Sequence, residues 1–84
     1  MQPIQELINK IRWDPAYAHS EFEIGFLDKL AQREIRVPFR IMQFVPGDHF
    51  FFHYADNDGE AHQVPLHRIK SVYQDGRLIW HREH

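Results

Sequence analysis

The sequence predicts an α+β fold, one N-terminal helix packed on a mostly antiparallel sheet or small partly closed barrel of about five or six strands. Three observations predict it: a helical period in the first dozen residues, a period of two from Phe22 onward, and turn signals that cut the remainder into short apolar runs.

The helix comes first. In "PIQELINKIRW", Ile4, Leu7, Ile8 and Ile11 recur at the i, i+3, i+4, i+7 spacing of one helix face, and Pro3 suits a first helical turn. Pro15 ends the element soon after Asp14, and "DPAYAHSE" reads as a loop. Strands follow. In "FEIGFLDKL", Phe22, Ile24 and Phe26 share a face; in "EIRVPFRI", Ile35, Val37, Phe39 and Ile41 do, with a turn at 30–32 between the two runs. Pro38 makes the second an edge or bulged strand. After the "VPGD" turn, "HFFFHYA" and "HQVPLHRI" flank "DNDG", and "KSVYQ" and "RLIWHR" flank Asp75-Gly76, a dipeptide suited to a type I′ hairpin. That register sets Val72 against Ile79 and Tyr73 against Leu78.

At 84 residues, one domain spanning 1–84 and one core are expected. A formal charge of −2 excludes nucleic-acid binding by bulk positive charge, so any such role must be local. Without Cys there are no disulfides or thiolate metal sites. No apolar run reaches the ~20 residues of a membrane span and no signal peptide opens the chain, so a cytoplasmic monomer without membrane contact is expected.

"VPLHRI" (64–69) poses the functional question, because an unpaired Arg inside an apolar strand must reach water, a carboxylate or an anion. On a regular strand His67 and Arg68 point to opposite faces. One is expected to contact a ligand and the other an acidic residue such as Asp14 or Asp28, unless Pro65 marks a bulge. Other chemistry fares poorly. The seven His fall in no metal-binding spacing, and Ser20 and Ser71 lie in no nucleophile motif. No phosphate-binding glycine loop occurs, and no metal or cofactor is implied. His67 could serve as a general acid or base toward a phosphodiester, although "LHR" occurs once, where a two-histidine phosphoesterase needs two such repeats. What remains is an anion-recognition set, with Arg12, Trp13 and Asp14, then His67 and Arg68, then Trp80 and Arg82. In the competing reading both Trp are core residues and the three Arg pair with Asp14, Asp28 or Asp48.

These same residues carry a resemblance. "IRWD" (11–14), "FLDK" (26–29), "FVPGDHF" (44–50), "VPLHRI" (64–69) and "DGRLIW" (75–80) resemble, in family order and over nearly the whole chain, the RNA cyclic group end recognition domain family. The resemblance implies recognition of an RNA terminus bearing a cyclic or related phosphate, in RNA processing or repair, at a site comprising Arg12, Trp13, Asp14, Asp28, Asp48, His67, Arg68 and Trp80. Lys29 departs from the family, whose members often carry Arg there, and its ammonium lacks the planar fork of a bidentate contact. A non-catalytic binding module is the leading expectation. The alternatives are a cyclic-phosphate or phosphodiester hydrolase using His67, and an interaction module that docks an RNA-processing enzyme.

Overall fold

A computed structural model describes residues 2–83. Helix α1 (Ile4–Trp13) buries Ile4, Leu7, Ile8 and Ile11, the stripe its periodicity marks. It stops where the sequence says it must: Asp14 leaves the helical region and Pro15 opens a one-turn 3₁₀ helix (Pro15–Tyr17) within the expected loop.

Six strands follow: β1 (Phe22–Asp28), β2 (Arg33–Pro38), β3 (Phe51–Ala55), β4 (Ala61–Pro65), β5 (Ile69–Gln74) and β6 (Arg77–His81). All their pairings are antiparallel, but they form two sheets, a four-stranded one in the order β2-β1-β5-β6 and a two-stranded β3-β4 hairpin. The architecture is α+β, and no barrel closes among the described residues. Phe22, Ile24, Phe26, Val37, Ile69, Val72 and Trp80 from the larger sheet meet the α1 stripe and the hairpin's Phe52 and Val64 in one core. Helix and hairpin thus share the sheet's inner face, and its outer face stays open.

The outer face is tightly organised around a residue without a side chain. A Cβ at Gly25 would collide with the Glu34 carboxylate and the Ser71 hydroxyl, which hydrogen-bond each other across it. Ser71 is buried, and Glu34 is its acceptor. Beside them the Arg36 guanidinium lies 3.7 Å from the centre of the Tyr73 ring.

Several sequence expectations are corrected. "EIRVPFRI" is not one strand, because β2 ends at Pro38 and Phe39–Ile41 form a 3₁₀ turn. "HQVPLHRI" likewise breaks after Pro65, and Leu66–Arg68 form a 3₁₀ turn before β5. In both cases the proline is the extended residue immediately before the turn, and it offers no N–H to a ladder. His67 and Arg68 therefore do not sit on opposite faces of a strand. At the last hairpin Asp75 and Gly76 both have positive φ, 50° and 85°, as a type I′ turn requires, and Tyr73 faces Leu78 as expected. A bulge then sets Val72 against Trp80, not Ile79, which turns the indole into the core.

Candidate functional site

The broken strand builds a cleft. Its walls come from the start of α1 (Ile4, Gln5), the segment entering β3 (His49, Phe50, Phe51), the turn after β4 (Pro65, Leu66, His67) and Arg82, and they enclose about 450 Å³. Each wall is tied in place. The Leu66 amide donates to the Phe50 carbonyl at 2.8 Å, clipping the turn to the segment before β3. Arg82 donates from Nε to the Ile69 carbonyl at 3.0 Å and from Nη2 to the Leu66 carbonyl at 3.1 Å, bracketing the turn that carries His67. Trp80, 6% exposed, donates from Nε1 to the Gln2 carbonyl at 2.7 Å and fastens the helix entrance to β6. Asp48 accepts the Phe50 amide at 2.9 Å, and Gly47 supplies the positive φ of 86° that this loop needs.

On this frame His67 and His49 are exposed, and Phe50 is 73% exposed. No side chain caps α1, so the first-turn N–H groups beside the cleft lack intrahelical acceptors and sit at the positive end of the helix dipole. Imidazoles, a guanidinium and uncapped amides around one hollow suit an anion, and an open phenyl ring beside them suits a base.

The sequence-predicted residues divide by position. His67 lines the cleft, while Asp48 and Trp80 shape its frame from within the loop and the core. Arg12, Trp13 and Asp14 lie at the far end of α1, where Asp14 accepts the Ala16 amide at 2.9 Å and caps the 3₁₀ turn. Asp28 closes β1, accepting the Leu30 amide at 3.2 Å. It is also one of the charges that, after burial and Asp56, raise the Tyr54 hydroxyl above its ordinary pKa. Arg68 stands beside His67, half-buried, with its Nε out of water and without an acceptor. The expected pairings of Arg12, Arg68 and Arg82 with Asp14, Asp28 or Asp48 are absent. Among the described residues the side-chain ion pairs are Arg36 with Glu23 and His62 with Asp56.

His49, Phe50 and Gln5 escaped the sequence reading. The signal was available for two of them, since "FVPGDHF" and "VPLHRI" each carry a His in the half that enters the cleft. The sequence reads His49 as the start of the run "HFFFHYA", whereas the strand begins only at Phe51.

Two other places gather polar side chains. A second cleft of about 470 Å³ lies at the opposite end of α1, floored by Tyr17, Phe22 and Phe39. Its rim carries Glu21, Glu23 and Asp75 against Arg40 alone, a poor balance for a phosphate. At the β3–β4 loop, Asp56, Glu60 and His62 bring ligand-type atoms within 4.8 Å of one another. Asp56 is already committed there, accepting the Asp58 and Glu60 amides at 2.9 Å on Oδ1 and lying 2.7 Å from His62 Nε2 through Oδ2. The His62 bond, with the amides behind it, holds its carboxyl below the ordinary aspartate range.

Comparison with known proteins places the chain. A family model described as the MJ1316 RNA cyclic group end recognition domain matches residues 1–82. The UPF0248 protein SSO2687 of Saccharolobus solfataricus is 28% identical over 82 residues, covering 94% of this chain and 95% of that protein. No solved structure matches. No helix among the described residues is long and apolar enough to cross a membrane.

Proposed function

Because the chain belongs to the MJ1316 RNA cyclic group end recognition domain family, we propose that it is a non-catalytic module that binds RNA termini carrying a 2′,3′-cyclic phosphate or a related terminal phosphate, in RNA processing or repair, with the cleft between the start of α1 and the Leu66–Arg68 turn as its site. The observation that carries this reading is the convergence of His49, Phe50, His67 and Arg82 on one hollow at the uncapped end of α1. Phosphate oxygens accept from the imidazoles, from Arg82 Nη1, which lies outside the carbonyl bracket, and from the helix amides. The terminal base stacks on Phe50. An end with a free hydroxyl lacks the terminal phosphate and loses most of these contacts.

The paired imidazoles also favour a second reading, hydrolysis of the cyclic phosphate. One imidazole would take the proton of an attacking water as the new P–O bond forms, and the other would protonate the ribose oxygen as its bond to phosphorus breaks.

The test is an amide chemical-shift titration with a short RNA ending in a 2′,3′-cyclic phosphate, against the same RNA ending in a hydroxyl. Shifts at 49–50 and 66–68 are expected with the cyclic end, and His67→Ala is expected to weaken the affinity about 10- to 150-fold through loss of one charge-assisted contact. Equal affinity for both ends overturns the reading. Chromatography of the recovered RNA after prolonged incubation separates the two versions, since an opened phosphate ring identifies the hydrolase.

A further inference from the structure

We propose that the module takes its terminus from a single-stranded RNA end and holds a base upstream of that terminus on Trp13, so that about three or four unpaired nucleotides form the recognised unit. The proposal rests on the cleft as the terminal-phosphate site and adds a second subsite to it.

Trp13 is 71% exposed, whereas the chain's other indole, Trp80, is 6% exposed and hydrogen-bonded. The buried stripe of α1 is Ile4, Leu7, Ile8 and Ile11, so core packing gives no reason for an indole at position 13. Its neighbour orders the surface. The Arg12 guanidinium lies 4.9 Å from the Trp13 ring centre and 4.8 Å from that of Phe44, a cation between two aromatic rings with no carboxylate paired to it among the described residues. Aromatic faces with an adjacent guanidinium are the means by which proteins hold single-stranded bases without reading their sequence.

The spacing connects this patch to the cleft. Gln5 lines the cleft, and Arg12 follows it by seven residues, almost two full helical turns, so both lie along one side of α1 with exposed Asn9 between them. Seven residues span about 10 Å of helix, roughly three stacked nucleotide steps of ~3.4 Å. A base inside a duplex is stacked on its neighbours and cannot lie on Trp13. The net charge of −2 leaves stacking, not bulk charge, to hold the strand beyond its terminus.

The full chain is titrated with uridine 2′,3′-cyclic phosphate, with a tetranucleotide ending in the same group, and with that end placed flush in a blunt duplex. Wild type is expected to bind the tetranucleotide about 5- to 150-fold more tightly than the mononucleotide, the range that stacking on one aromatic side chain supplies, and to bind the blunt duplex no better than the mononucleotide. Indole fluorescence should respond to the tetranucleotide alone. Trp13→Ala should lower tetranucleotide affinity to the mononucleotide level, and Trp13→Phe should restore most of it; unchanged circular dichroism establishes that both variants fold. Equal wild-type affinity for mononucleotide and tetranucleotide, or a W13A variant that keeps the length advantage, overturns the proposal and leaves the terminal site standing. Failure of both the mononucleotide and the tetranucleotide to bind overturns this proposal and the terminal site together.

Discussion

Arg82 divides its guanidinium between structure and ligand. Nε and Nη2 hold the two carbonyls that bracket the Leu66–Arg68 turn, so the side chain keeps His67 at the cleft before any ligand arrives. Lysine would preserve the charge but has no planar fork to bridge both acceptors. Arg82→Lys is therefore expected to cost about 1.5–3 kcal/mol of stability, the range for hydrogen bonds to a charged group, and to weaken RNA-end binding although the net charge is unchanged. Denaturant unfolding of the two proteins checks the first part. A variant of wild-type stability would mean that the bracket is idle. Arg68, one residue from His67, is placed differently: it is half-buried, with its Nε out of water and without an acceptor, whereas His67 is exposed. The tension in "VPLHRI" is thus resolved by breaking the strand, not by pairing the cation.

Among the elements, the β3–β4 hairpin bears most directly on the cleft, since Phe51 at its start faces Pro65 at its end. Its loop is closed by Asp56, whose carboxyl is depressed by the His62 bond and two backbone amides. A carboxyl that titrates lower in the folded protein than in the unfolded chain contributes stability above its unfolded value near 4, and that contribution is lost as pH falls through the depressed folded value. The Asp58 and Glu60 amide resonances should therefore titrate with a midpoint below the ordinary aspartate value. In Asp56→Asn this transition should vanish and both amides should exchange faster with solvent. A midpoint at the ordinary value would show that the loop is open in solution. The elements also show what a sequence discloses. Helix α1 and the Asp75-Gly76 turn were legible because local chemistry alone, an apolar stripe and a dipeptide that tolerates positive φ, decides them. The two 3₁₀ turns were not legible, because Phe39, Ile41 and Leu66 continue an alternating pattern that Pro38 and Pro65 interrupt only in the backbone. The cleft was half legible. His67 stood out as an anomaly in an apolar run and His49 lay within "FVPGDHF", whereas Gln5 acquires meaning only when the helix start and the β3 entrance meet beside it.

At the scale of the whole molecule, the charge balance decides what kind of RNA binding is available. Ten Lys and Arg against twelve Asp and Glu leave no excess positive charge to condense on a phosphate backbone. The acidic rim of Glu21, Glu23 and Asp75 at the opposite end of α1 would repel a strand that continued there. Binding must be concentrated on the terminal phosphate and a neighbouring linkage, a Z of about two in counterion terms, for which a single strand gives a log–log salt slope of about −1.4. Affinity for the tetranucleotide is then expected to fall only about sevenfold between about 50 and 200 mM salt, and lengthening the RNA well beyond four nucleotides should leave the slope unchanged. Titrations at several salt concentrations with RNAs of increasing length measure this. A slope steeper than about −3, or one that grows with length, would mean that four or more phosphates are engaged, and the protein would be a backbone-tracking binder, not a reader of ends. A shallow, length-independent slope follows from the architecture itself: a nearly neutral surface, one cationic hollow at the start of the helix, and one aromatic platform about two turns along it.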